Sequence, residues 1–200
     1  MSTTTWASLY IILNYMPLLF KPKAAVLKKS QELDVKNRMV SFVHGFIVML
    51  LAAKEFYVTP GSCGDDNTPY ERLTLHILCG YFTYDFLAMA YYGLLDKAMT
   101  IHHSICILGI MISFSENRAG NYIITGTYIA EVSNTCMHAR VILRHYGLRY
   151  TRAYEVTEIT FIMLYIYARI LAGPSVVWST VACSKNNLLV RLVAVGLLVQ

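Results

Sequence analysis

The chain is expected to be an all-α membrane protein of about seven transmembrane helices. Hydrophobic residues make up 56% of the sequence and charged residues only 14%, with a mean hydropathy of +0.47. Soluble domains carry about 25% charged residues. The charges also cluster between long apolar runs instead of covering one face of each helix, the pattern of a polytopic α-helical protein. A net charge of +5 does not point to nucleic acid, because the basic residues lie in short inter-helix stretches. There they act as topology determinants beside anionic lipid headgroups, and no nucleic-acid motif occurs.

The first apolar segment runs about 5–20 and is ended by Pro17 and the Lys21-Pro22-Lys23 stop. It lacks a preceding basic region and a small-residue cleavage site, so it reads as a retained helix, not a signal peptide. Residues 1–37 thus comprise one helix and a basic cytosolic linker. The stretch from Lys21 to Arg38 reads either as a short amphipathic surface helix or as a solvated linker. The second segment covers 38–57. A polar loop follows, with Pro60-Gly61 and Asp65-Asp66-Asn67 as turn chemistry. The third covers 73–94, the fourth 98–114 and the fifth 121–143. The sixth runs 154–172 and is expected to stop at Gly173-Pro174. The seventh begins near Asn186 and reaches Gln200, short for a span and interrupted by Arg191. A homo- or hetero-oligomeric partner is one way to complete so short a last helix.

Charge placement orients these segments. With the N-terminus lumenal and the C-terminus cytosolic, the inner loops hold Lys21, Lys23, Lys28, Lys29, Lys36, Arg38, Lys97, Arg140, Arg144, Arg149 and Arg152. The outer loops hold Lys54, Arg72, Arg118 and Lys185, and eleven against four obeys the positive-inside rule. Cys63 and Cys183 then both fall on the outer, oxidising side of an endomembrane such as the endoplasmic reticulum. They are either bonded or both free.

Ionisable residues inside hydrocarbon persist where they serve a cavity, a relay or a site. His44, Asp85, His102, His103, Glu131 and His138 all fall at membrane depth. Glu131, Asn134, Thr135 and His138 recur at helical spacing and share one face of the fifth segment. That face must turn inward, as inter-helix glue or as the wall of a polar cavity. Asp85, one turn after Tyr81, needs a proton, a hydrogen bond or a cation, and His102 or His103 is the natural partner. Adjacent on a helix, the two histidines diverge by about 100° and cannot both address one atom. Metal ligation is not expected, since the histidines lack paired-ligand spacing.

These residues resemble the TLC-domain family, which includes ceramide synthases, the translocating-chain-associated membrane protein and small proteins named only for the domain. The resemblance runs from Arg38 to the C-terminus. It is carried by Ser41-x-x-His44, Gly80-Tyr81-Phe82-x-x-Asp85, His102-His103, Asn117-Arg118-Ala119-Gly120, and Glu131-x-Ser133 with Arg140. It implies a TLC domain over 38–200, in which the second to seventh segments form a helical barrel around a polar cavity lined by His44, Tyr81, Asp85, His102, His103, Glu131, Asn134 and His138. It further implies acyl transfer from acyl-CoA, with His102 or His103 as nucleophile or general base supported by Asp85 and Glu131. Asn134 stands where ceramide synthases place a second acid, and an amide cannot ionise. That departure weighs against ceramide synthesis and towards the small TLC-domain proteins linked to membrane lipid composition. Three functions follow as expectations: lipid homeostasis through an acyl-chain cavity, a lipid N-acyltransferase, and a non-catalytic structural or chaperone-like membrane partner.

Overall fold

A computed structural model of the chain describes residues 3–15, 27–58 and 61–199. Among the described residues the fold consists of helices: α1 (Thr3–Tyr15), α2 (Lys29–Tyr57), α3 (Pro69–Tyr91), α4 (Lys97–Glu116), α5 (Gly120–His145), α6 (Arg152–Ala182) and α7 (Leu188–Val199). α2, α3, α4 and α6 are each long and apolar enough to cross a bilayer. α5 is long enough but carries the polar stripe. It solves that problem by position, because Arg144 is its one exposed residue. α6 supplies much of the lipid-facing surface through exposed side chains such as Ile159, Met163, Ile170 and Leu171. The chain is an integral membrane protein.

Helices α2 to α7 close into a ring in the order α2, α3, α4, α7, α6, α5, and back to α2. α5 also leans across the ring against α3 and α4, dividing it into two halves. One half, capped by α1, is solidly packed around Trp6, Val40, Leu75, Leu78, Tyr81 and Ile110. The other, between α4, α5, α6 and α7, borders a half-open cavity.

Local chemistry moves several boundaries from their expected places. In its described part the basic stretch is neither a separate surface helix nor a solvated linker, since residues 29–38 are the first turns of α2. Glu32–Lys36 and Asp34–Arg38 ion pairs at i,i+4 support those turns, at 2.9 and 3.0 Å. The Lys21 to Val26 part, like the Pro17 and Lys21-Pro22-Lys23 stop, lies outside the described residues. α3 starts four residues early because Thr68 and Glu71 form a reciprocal capping box with Pro69 in the first turn.

The largest correction concerns α6, which does not stop at Gly173-Pro174. A π-helical turn at Tyr167–Ala172 widens the helix and lets it resume as Gly173–Ala182. The Gly173 N–H donates to the Ala168 carbonyl, five residues back. Pro174 then stands in the first turn of the resumed segment, where its missing donor is tolerated. A Cβ on Gly173 would meet the Ala168 carbonyl oxygen at 2.6 Å, so the turn needs glycine here.

At the ring end holding the α2–α3, α4–α5 and α6–α7 loops, Cys63 and Cys183 are disulfide-bonded, with Cα atoms 5.5 Å apart. Asn67 ties the same end together. Its side-chain amide donates to the Ser113 carbonyl and hydroxyl, and its carbonyl accepts from the Gly120 N–H at 2.8 Å. The Asn117 to Gly120 corner is thereby fixed, with Asn117 and Ala119 at positive φ. Arg191, near the start of α7, donates to the carbonyls of Cys183 and Asn186 and so closes the α6–α7 loop.

Candidate functional site

The two adjacent histidines belong to different halves of the ring. His103 is 3% exposed and turns into the packed half. Its Nδ1 lies 2.9 Å from the Met99 carbonyl oxygen, which can only accept, so Nδ1 carries a proton and donates. Its Nε2 lies 2.8 Å from Asp85 Oδ2, and one proton bridges the two. Asp85 Oδ1 accepts from Asn37 Nδ2 at 2.6 Å, and Asn37 Oδ1 accepts from the Tyr84 hydroxyl at 2.9 Å. Helices α2, α3 and α4 are thus joined by one buried chain in which both imidazole nitrogens are committed. A network satisfied in this way stabilises the packing and fixes its register.

Beside this chain runs a second polar seam between α2 and α5. Gly45 lets α5 approach closely: a Cβ there would lie 2.6 Å from Glu131 Oε2 and 2.8 Å from Thr135 Oγ1. His44 stacks on Tyr81 at 3.5 Å between ring centroids, and Trp6 packs edge-on against both rings. His44 Nε2, Thr135 Oγ1 and His138 Nδ1 are buried without a hydrogen-bond partner. Orphans of this kind in a native interior mark an unsatisfied, polar spot.

His102 turns the other way, onto the cavity. That cavity measures about 170 Å³ and lies between α4, α5, α6 and α7. Ordinary interiors hold few voids larger than a water molecule, so a space of this size stands apart from a packed core. Its polar end is formed by His102, Glu131, Asn134 and Arg169. Cys106, one turn along α4, sits 3.7 Å from His102 Nε2. Asn134 Nδ2 donates to Glu131 Oε1 at 3.3 Å. From there the cavity continues along apolar walls that include Gly109, Gly126, Val176 and Val193. Gly126 leaves space unfilled, since a Cβ there would meet only Val176, at 3.9 Å, whereas Gly109 lets Val193 pack closely, with 2.9 Å to a Cβ built there.

Arg169 is a site residue that pattern-reading of the polar stripe misses. It sits in the π turn, between Tyr167 and Ala172, and is part of the cavity wall. π turns of this type occur frequently at functional sites. An arginine at the centre of a membrane helix costs about 2.5–3.5 kcal/mol by insertion measurements, so its environment must answer for it. Its guanidinium lies over the Tyr165 ring at 5.8 Å. Among the described residues it makes no ion pair. The available sequence signal is a lone arginine inside the apolar run from Ile159 to Leu171.

Of the residues singled out from sequence, His102, Glu131 and Asn134 line the cavity. Asp85 and His103 form the buried chain, while His44, Tyr81 and His138 lie in the seam on the other side of Glu131. Glu131 touches both compartments. Arg140, on the same helix, is paired with Glu158 of α6 at 3.1 Å. Among the described residues no group of three or more His, Cys, Asp or Glu side chains converges as a metal site would require.

Set against known proteins, residues 34–199 match the TLC-domain family. No solved structure matches the chain.

Proposed function

Because the chain belongs to the TLC-domain family, we propose that it acts in membrane lipid homeostasis by holding the acyl chain of a membrane lipid in the α4–α7 cavity. The observation that carries this reading is the division of one intramembrane space into a polar end and a glycine-walled apolar length. An acyl chain entering that length would leave the bilayer for an equally apolar wall, while its headgroup meets His102, Glu131, Asn134 and Arg169. An endomembrane such as the endoplasmic reticulum, with the N-terminus lumenal, fits both the loop charges and a disulfide at the less basic end of the ring.

A second reading, CoA-dependent N-acyl transfer to a membrane amine, is supported by His102 standing at the polar end beside Glu131. His103 is a poor nucleophile in this setting, because its two nitrogens are already engaged. In this reading His102 alone carries the acyl transfer and His103 with Asp85 holds α4 in place.

The test is lipid mass spectrometry on cells that lack the chain, express it, or express Gly126→Leu, whose side chain projects into the open space. A lipid shift produced by the wild type and lost with Gly126→Leu is expected. An equal shift from both proteins would show that the cavity is not the agent. His102→Ala separates the two readings: it abolishes the shift if the chain is an acyltransferase and only weakens it if the chain holds lipid, since Glu131, Asn134 and Arg169 still line the polar end.

A further inference from the structure

We infer that Arg169 is the headgroup-recognition residue of the cavity, and that the occupant is an acyl-chain amphiphile whose headgroup is an oxyanion, carboxylate or phosphate. The inference rests on the lipid-cavity reading and adds to it the charge of the ligand.

Depth is the first argument. α6 has 31 residues, and Arg169 stands seventeen residues after Arg152 and thirteen before Ala182. At 1.5 Å per residue those intervals are roughly 26 and 20 Å of helix, and with about 30 Å of hydrocarbon centred on α6 the nearer interface lies roughly 12 Å from Arg169 along the axis. Snorkelling over that distance is incomplete, so the charge has to be met in part within the protein or by a ligand.

The protein meets it only in part. Glu131 is the carboxylate at that end of the cavity, yet one of its oxygens accepts from Asn134 and the other is directed at Gly45 of α2. No carboxylate among the described residues lies within 4 Å of the Arg169 nitrogens. The planar guanidinium fork is matched by carboxylate and phosphate oxygens, which it binds in a bidentate manner. Asn134 keeps a second amide N–H beyond the one given to Glu131, so a neutral donor stands at the same end.

The apolar length is bounded by Gly109, Gly126, Val176 and Val193 from four helices. The π turn completes the device: Gly173 and Ala168 hold the turn that carries Arg169 into the cavity wall.

The experiment uses the full chain, purified in a neutral detergent, with displacement of a fluorescent neutral alkyl probe as the readout. Three ligands share a sixteen-carbon chain: palmitate, palmitoyl-lysophosphatidate and hexadecanol. At least about tenfold tighter binding of one or both anions than of hexadecanol is expected for the wild type, about 1.4 kcal/mol. Arg169→Gln should erase that preference while hexadecanol binds as before, and Arg169→Lys, a charge without the fork, should fall between. Palmitate alone being preferred would assign a carboxylate, and lysophosphatidate alone a phosphate. Equal binding of all three by the wild type would overturn the inference and leave the lipid cavity standing, a result that needs no variant to fold. Retention of the preference in Arg169→Gln would overturn it too. If no chain of any kind binds, the cavity reading itself fails and takes the inference with it.

Discussion

The two halves of the ring treat the same kind of residue in opposite ways. In the packed half, Asn37, Tyr84, Asp85 and His103 spend their hydrogen-bonding capacity on one another across three helices. In the open half, His102, Asn134 and Arg169 face a cavity, and Arg169 has no ion-pair partner among the described residues. Polar groups stand at membrane depth in both halves; the Asn37–Tyr84–Asp85–His103 chain is satisfied within the protein, whereas Arg169 lacks an ion pair among the described residues. A polar group satisfied internally contributes to stability, whereas one left facing a space is available to a ligand. Neighbours in sequence, His102 and His103 fall on either side of that division.

The largest expected effect comes from breaking the closed half. Asp85→Ala removes the acceptor of both Asn37 and His103 and leaves a buried imidazole without its counter-group. Removing one partner of a buried pair typically costs about 3–5 kcal/mol. Thermal unfolding of the purified protein should therefore show a large loss for Asp85→Ala, with lipid retention lost only because the ring no longer holds. A variant as stable as the wild type would mean that the Asn37–Asp85–His103 chain does not bear on the fold.

The middle effect sharpens the comparison from the open side. Gly173→Ala places a methyl against the Ala168 carbonyl oxygen, and the π turn must shift or revert to α-helix. Overpacking of this kind costs roughly 1–3 kcal/mol. Removing the extra residue of the turn would also rotate Arg169 relative to the resumed segment by about 100°. The expected outcome is a moderate drop in stability together with loss of anion preference in the displacement assay, hexadecanol binding being much less affected. Unchanged preference would separate Arg169 placement from the π turn.

How much of this was legible in the sequence follows from what each feature depends on. Apolar length and the spacing of polar residues are local properties, so the helices, the inward face of α5 and the TLC-domain family could all be read from the string of residues. The Asp85–histidine partnership was legible as a need, because a membrane carboxylate must find a partner, but its choice of His103 was not. That choice depends on the rotation of α4, which is set by packing against α3 and α7. The run of α6 through Gly173-Pro174 was hidden for a related reason: proline predicts a stop only when the preceding turn is α-helical, and a π turn changes the donor pairing. Arg169 was passed over because a single charge in an apolar run has no periodicity to reveal it. The start of α3 was the opposite case, with Thr68, Pro69 and Glu71 spelling out a capping box in plain view.

The smallest expected effect is also the most discriminating, because it uses two neighbours as each other's control. His102 and His103 share residue type, helix and depth, so differences between their alanine variants report environment alone. His103→Ala strips Asp85 of its partner and should lower the unfolding temperature clearly. His102→Ala removes a half-buried side chain that meets Cys106 Sγ at 3.7 Å and the Phe82 ring edge-on. It should cost clearly less stability than His103→Ala, because the Asp85 chain that joins α2, α3 and α4 is left intact. If His102→Ala instead destabilises as much as His103→Ala, the division of the ring into a closed and an open half is wrong at its boundary. If stability holds, any change that His102→Ala makes to bound or cellular lipid belongs to the cavity and not to the fold, which is the condition under which the acyltransferase and lipid-holding readings can be told apart.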